Sequence, residues 1–353
     1  MARRRALRAR NRRLEHVLLV LLLVVSAIGF SRSSKTDVSA APPPAPAVAR
    51  APQAEPLDPL VTPEPLARSV TMRQTRIAGR GFGYCANGSI DVPPTEATRV
   101  IVVMHGNDRQ PCSVAAAVLA AGTPEQRSRT LVVSPWFPVR EDRINPNTHL
   151  YWSFYSWSQG DRSANNDASI SSYAVVDEML DRVRHLPIVV AGFSGGGQFV
   201  ARYAAGTSHE PVRFIITNPS SYLYWDDQRP GVSPEQLAAC PTFNDYRYGL
   251  NKLNDYMADA GELNLKRRFG ERRIIYLLGD ADNDPRSSSM DRSCAAGAQG
   301  AHRFERGERY WAYLPSVFGP QIHTRHRKIV VPRVSHNVHA MFQHPDSRVA
   351  LYG

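Results

Sequence analysis

Apolar residues fall along this chain in short blocks of two kinds. The first is a run of β-branched or small apolar side chains: Arg99–Met104, Thr130–Ser134, Ile188–Ala191, Val212–Thr217, Arg273–Leu278 and Lys328–Val331. Such runs suit strands buried on both faces of a sheet. The second kind repeats at helical spacing, over Ser113–Ala121, Ser169–Arg184 (Ile170, Tyr173, Val176, Val183), Gln198–Ala204, Arg306–Phe318 and Val338–Gln343. Thr71–Ile77 and Gly81–Ile90 read as short edge strands. Strands alternating with helices predict an α/β fold, a doubly wound, mostly parallel sheet with helices on both faces. Residues 226–269 predict a helical insertion between two late strands, and no internal repeat is present.

Ahead of these elements the pattern changes. Val17–Phe30 is nearly all apolar and follows Met1–Arg13, which holds seven arginines. A charged segment before an apolar one of this length predicts an export signal. It predicts a membrane anchor instead if Leu14–Phe30 spans the bilayer with snorkelling flanks. From Val38 to Arg68 alanine and proline dominate, with nine prolines between Pro42 and Pro65. Such a segment has no core to build and predicts an extended, semi-rigid spacer. The expected organisation is a signal or anchor over 1–30, a disordered linker over 31–69 and a folded domain over 70–353.

Composition changes this picture little. With 353 residues, 42% of them hydrophobic, the chain can bury one large core. Its net charge of +11 sits mostly in the first segment, and from Ser31 onward 36 basic residues face 31 acidic ones. No Lys/Arg run interleaved with aromatics occurs there, so a nucleic-acid partner is not expected. The four cysteines form no C-x-x-C, which argues against a zinc ribbon or a thioredoxin-type site. In an exported chain an even count predicts two disulfides. Of three pairings, Cys85–Cys112 with Cys240–Cys294 is favoured.

The candidate chemistry centres on Gly192-Phe193-Ser194-Gly195-Gly196, between the Ile188–Ala191 strand and the helix that follows. A serine between glycines on a strand-to-helix turn has its hydroxyl pushed out above the sheet edge. Gly197 is an extra glycine with no evident demand on it. Other glycine motifs fail: Gln198 and Phe199 stand where a P-loop needs Lys and Ser/Thr, and Val200 stands where a dinucleotide turn needs a small residue. A serine hydroxyl needs a base, and the base an orienting carboxylate. Ligands in α/β sheets meet the C-terminal ends of strands. There lie Gly279-Asp280-Ala281-Asp282-Asn283-Asp284 and then Val334-Ser335-His336-Asn337, in the order Ser, Asp, His.

These motifs together resemble the α/β-hydrolase superfamily, over about residues 99–343, and His105-Gly106 is similar to that family's oxyanion loop. The resemblance implies Ser194 as nucleophile, His336 as base and Asp282 as its orienter. It also implies the N–H groups of Gly195 and of Asn107 or its neighbour as oxyanion donors. The chain departs from the family's lipases in having no HGGG run. Asp282 is preferred to Asp280 and Asp284 for its spacing from Gly279, the family's usual one. His339, His323, His326 and His344 compete with His336. Asp280-x-Asp282-x-Asp284 also begins like a calcium loop, but Pro285 and Asp291 stand where that loop needs Gly and Glu. No metal and no organic cofactor is expected.

Two aromatic clusters follow strand ends, Tyr151–Trp157 and Tyr222–Trp225. Trp152, Trp157 and Tyr222 are candidates to wall the substrate site, or else to pack the insertion on the sheet. The reading is an exported serine hydrolase acting on a small-molecule or polymer ester, through an acyl-enzyme, tethered to a membrane if the first segment is kept. A serine peptidase of the same fold, and a tethered binding protein without turnover, are the alternatives. The oligomeric state stays open.

Overall fold

The structure, a computed structural model, describes residues 64–167 and 169–353. The expected signal or anchor and the linker up to residue 63 lie outside the described residues. Among the described residues no helix is long and apolar enough to cross a membrane.

The strands are β1 (Thr71–Ile77), β2 (Arg80–Ala86), β3 (Arg99–Met104), β4 (Thr130–Pro135), β5 (Ile188–Phe193), β6 (Arg213–Thr217), β7 (Ile274–Gly279) and β8 (His326–Val331). They form one eight-stranded sheet in the order β1-β2-β4-β3-β5-β6-β7-β8. β1 and β2 pair antiparallel, β2 meets β4 antiparallel, and every other pairing is parallel. The chain leaves β3 for β4 on one side and returns to β5 on the other. The crevice above the β3 and β5 ends is therefore a topological switch point, where ligands of open α/β sheets bind.

The apolar runs bury both faces of the sheet because side chains alternate along a strand. On β3, Val100, Val102 and Met104 enter one core, and Ile101 and Val103 enter the other. Helix α1 (Pro111–Ala121) closes the second core, while α2 (Ser172–Val183), α3 (Gly195–Gly206) and α4 (Arg303–Phe318) close the first. Helices α5 (Val338–Gln343) and α6 (Pro345–Tyr352) join α1 on the second face. Burying each large aliphatic side chain is worth about 1.5–3 kcal/mol, so these two layers dominate the favourable side of folding.

Three expectations need revision. The second edge strand stops at Ala86 rather than Ile90. The segment 226–269 is more than half irregular, with helix only over Pro234–Ala238, Asp255–Ala260 and most of Glu262–Glu271. Buried Arg229 explains the irregular backbone, since its guanidinium donates to the carbonyls of Asp226, Phe243 and Tyr248 in place of helix bonds. Residues 64–69, read as the end of the linker, lie along the sheet edge: Leu66 packs on the core and Ala67 N–H donates to Asn87 O at 2.7 Å.

Both favoured cysteine pairs are bridged, Cys85–Cys112 with Cα atoms 5.0 Å apart and Cys240–Cys294 with 5.7 Å. The first fastens β2 to the start of α1, and the second pins the irregular segment to the loop before α4.

Candidate active site

Ser194 joins β5 to α3 with φ 59° and ψ −117°, a conformation that L-residues adopt only at a cost of roughly 1–3 kcal/mol. The surroundings impose it. A Cβ on Gly192 would lie 2.1 Å from Gly196 O, and one on Gly196 would lie 2.2 Å from Met104 O. Gly197, which the sequence left unexplained, is needed as well, because a Cβ there would stand 2.5 Å from Thr217 O at the end of β6. The run of glycines lets the first turn of α3 settle directly onto the ends of β3 and β6.

His336, on the loop after β8, reaches across the sheet edge. Ser194 Oγ donates to its Nε2 at 2.8 Å, and its Nδ1–H donates to Asp282 Oδ2 at 2.6 Å. The imidazole lies against the Phe193 ring, 4.7 Å between centroids. Asp282 sits in a tight turn after β7, its N–H donating to Gly279 O at 3.1 Å, and is only 4% exposed. Its rivals are engaged elsewhere: Asp280 accepts Arg333 N–H at 2.6 Å, and Asp284 accepts Arg286 N–H at 2.9 Å. His339 meets Ser113 at 3.1 Å on the cleft's far wall, and His326 is a buried strand residue held by Phe269 O and Tyr276.

The loop after β3 lies over Ser194, where a Cβ on Gly106 would be 3.5 Å from the serine Cβ. His105 is fully buried against Trp157, and burial pushes its pKa down to about 4, so the ring is neutral. Its Nε2 accepts Phe137 N–H at 3.1 Å, which places the proton on Nδ1, and Nδ1–H donates to Gly106 O at 2.8 Å. Arg109 N–H donates to the same carbonyl at 3.0 Å, and Arg109 Nη1 donates to Asn107 O at 2.9 Å. Arg109 is itself gripped by both oxygens of Asp142, at 2.7 and 3.0 Å. Burial works to raise the Asp142 carboxyl, yet Arg109 and the Val139 N–H hold it below its usual range. With both loop carbonyls tied back, the Asn107 N–H has no partner among the described residues. Gly195 N–H opens α3 and so has no intrahelical partner. The Asn107 nitrogen would lie 3.3 Å from a Cβ on Gly195, so the two N–H groups are neighbours beside the serine.

Two cavities of about 410 and 270 Å³ share Asn107, Asp108 and Ser289 and so form one cleft. The smaller arm holds Ser194 and His336 with Val114 and Val338. The larger arm runs past Phe154, Tyr155, Met290 and Arg247.

Eight strands in this order, with a serine turn after β5, acidic and histidine loops after β7 and β8, and a loop from β3 over the serine, decide the architecture. The chain has the α/β-hydrolase fold. No protein-family model matches this sequence, and no curated protein matches it. Solved structures do. The chain is similar to poly(aspartic acid) hydrolase-1 from Sphingomonas sp. KT-1, with TM-score 0.56 and 22% identity over 82% of this chain and 100% of that one. It is also similar to a poly(3-hydroxybutyrate) depolymerase from Bordetella parapertussis, with TM-score 0.55 and 23% identity over 80% of this chain and 88% of that one.

Within this α/β-hydrolase fold the expected aromatic wall is misplaced. Trp152, Trp157 and Tyr222 are 1%, 0% and 0% exposed, and none lines the cleft. Trp157 stacks on Phe137, Trp152 meets the same ring edge-on, and Tyr222 stacks on Tyr310. Trp152 and Trp157 pack with Phe82, Phe137 and Phe199, and Tyr222 with Tyr276 and Tyr310, in the core beside the sheet, where large rings bury the most area. The cleft takes instead their neighbours Phe154 and Tyr155, 42% and 55% exposed. Sequence reasoning also missed Arg109, Asp142, Ser289 and Arg303. The last donates to Asp282 Oδ1 at 3.1 Å from the start of α4. No local pattern marks any of the four.

Proposed function

We propose that this chain is an exported serine hydrolase whose substrate is a carboxylic ester, small or polymeric. The observation that carries the reading is His336 hydrogen-bonded at once to Ser194 and Asp282. Ser194 Oγ attacks the acyl carbon while its proton passes to His336 Nε2. Asp282 keeps the imidazole proton on Nδ1, so that Nε2 is free to accept. The oxyanion lies against the N–H groups of Gly195 and Asn107, each worth about 3 kcal/mol. His336 Nε2–H then protonates the departing alkoxide. Water, deprotonated by the same nitrogen, attacks the acyl-serine, and Ser194 leaves with its proton restored. These steps consume no metal or organic cofactor. The two arms of the cleft leave room for groups on both sides of the scissile bond. Two disulfides support export to an oxidising compartment.

A comparison of p-nitrophenyl esters of increasing acyl length with peptide p-nitroanilides tests this. The ester kcat/KM is expected to exceed the anilide value by about a hundredfold or more, since roughly 3 kcal/mol of extra barrier separates such substrates in a site built for an alkoxide. Preference for the anilide would make the protein a peptidase. No turnover of either would favour the binding protein.

A further inference from the structure

Arg303 is a costly residue. Its side chain is 0% exposed, and burial pulls its pKa below the usual value against the pull of Asp282. A buried guanidinium is less favourable than a well-packed apolar side chain unless partners compensate it. Its partners are few: Asp282 Oδ1 at 3.1 Å, Ser289 Oγ at 2.8 Å and Ser287 Oγ at 3.5 Å, with Nε unpartnered. Among the described residues only His336 and Arg303 hydrogen-bond the Asp282 carboxylate, one on each oxygen.

Resting on the reading of Ser194, His336 and Asp282 as a triad, we propose that Arg303 is a positioning residue for the acid. It fixes Asp282 with Oδ2 toward His336 and offsets part of the carboxylate's charge, so the imidazole stays available as a base further into the acid range. The sign follows from charge alone. A bare carboxylate favours the imidazolium, and a cation on its other oxygen opposes that.

The other charged or titratable groups around the pair act less directly. On the acid loop, Asp280 and Asp284 are bound to backbone N–H groups. On the histidine loop, the Arg333 backbone holds Asp280. Arg306, one turn along α4, donates to the carbonyls of Gly300, Ser220 and Asp291. Asp108 is exposed on the oxyanion loop, His339 lies on α5 beside Ser113, and Tyr222 is buried and neutral behind Asp282.

The test is the rate of Ser194 phosphonylation by a fluorophosphonate, followed against pH in the full-length protein and its variants. In Arg303→Met the acid limb is expected to move up by about one pH unit. Near the foot of the limb, its rate relative to its own plateau then falls about tenfold below wild type. Arg303→Gln keeps a donor without the charge, should move the limb likewise, and checks the result in a less disruptive side chain. Arg303→Lys should restore part of the shift. Ser287→Ala, which removes only the long 3.5 Å bond and lies outside the cleft lining, should leave the limb in place. A limb that stays put, or moves to lower pH, in both Met and Gln variants would overturn the proposal. A wild-type protein that is not labelled at any pH would instead contradict the triad.

Discussion

Replacing His336 by alanine is expected to lower kcat for an aryl ester about 10⁵-fold or more. Among the described residues the side chain holds the only nitrogen hydrogen-bonded to Ser194 Oγ, 2.8 Å away, and a serine hydroxyl without a base is a poor nucleophile near neutral pH. Ser194→Ala should cost as much. The double variant should be scarcely worse than either, because the two groups act as one unit. A residual rate above that of free solution should survive, carried by the Gly195 and Asn107 donors and by substrate binding. Removing the imidazole leaves Phe193 partly uncovered and Asp282 with Arg303 alone, so the fold should persist. Steady-state kinetics with a melting curve separates the two effects. Unchanged kcat in a folded His336→Ala protein would remove His336 from the chemistry.

The second large effect is expected at Asp282. Asp282→Asn should reduce kcat about 10⁴-fold, since an amide nitrogen facing Nδ1 favours the tautomer whose Nε2 already carries a proton. It also strips the buried Arg303 guanidinium of its carboxylate, so some loss of stability should accompany it. The neighbours supply the control. Asp280 receives the Arg333 N–H and Asp284 receives the Arg286 N–H, and neither meets the imidazole. Their Asn variants should stay within about tenfold of wild type in kcat, the range of small positional effects. A 10⁴-fold loss in Asp280→Asn or Asp284→Asn, with Asp282→Asn near wild type, would transfer the role.

What could be read from sequence here was local. Gly192 and Gly196 are forced because a Cβ at either would come within 2.1–2.2 Å of backbone oxygens in the turn and on the neighbouring strand, and such demands leave a pattern. Asp282 was preferred to Asp280 and Asp284 because the family resemblance implies that spacing from Gly279, and in the structure a turn that closes on Gly279 O provides it. The sheet was legible because strands buried on both faces are continuous apolar runs. Features that depend on what packs over a residue left no such trace. In Tyr151-Trp-Ser-Phe-Tyr-Ser-Trp157 no helix or strand period sorts inward from outward rings. Trp152 and Trp157 were therefore indistinguishable from Phe154 and Tyr155, which do face the cleft. Arg303 lies ahead of the helix expected from Arg306, which in the structure begins at Arg303, and nothing beside it marks it until the loop from β7 meets it. Helix α6 was missed although His344 and Pro345 are a serviceable helix start; Tyr352 is drawn in by Val118 O, 234 residues away.

The most direct test of the site is intact-mass analysis after exposure to a fluorophosphonate at neutral pH, on the folded wild-type protein and on His336→Ala. One adduct per chain, mapped to Ser194 and slowed about a thousandfold or more in the variant, is the expected result for a serine activated by this imidazole. An unmodified wild-type chain, an adduct on another serine, or equal labelling in both proteins would contradict it.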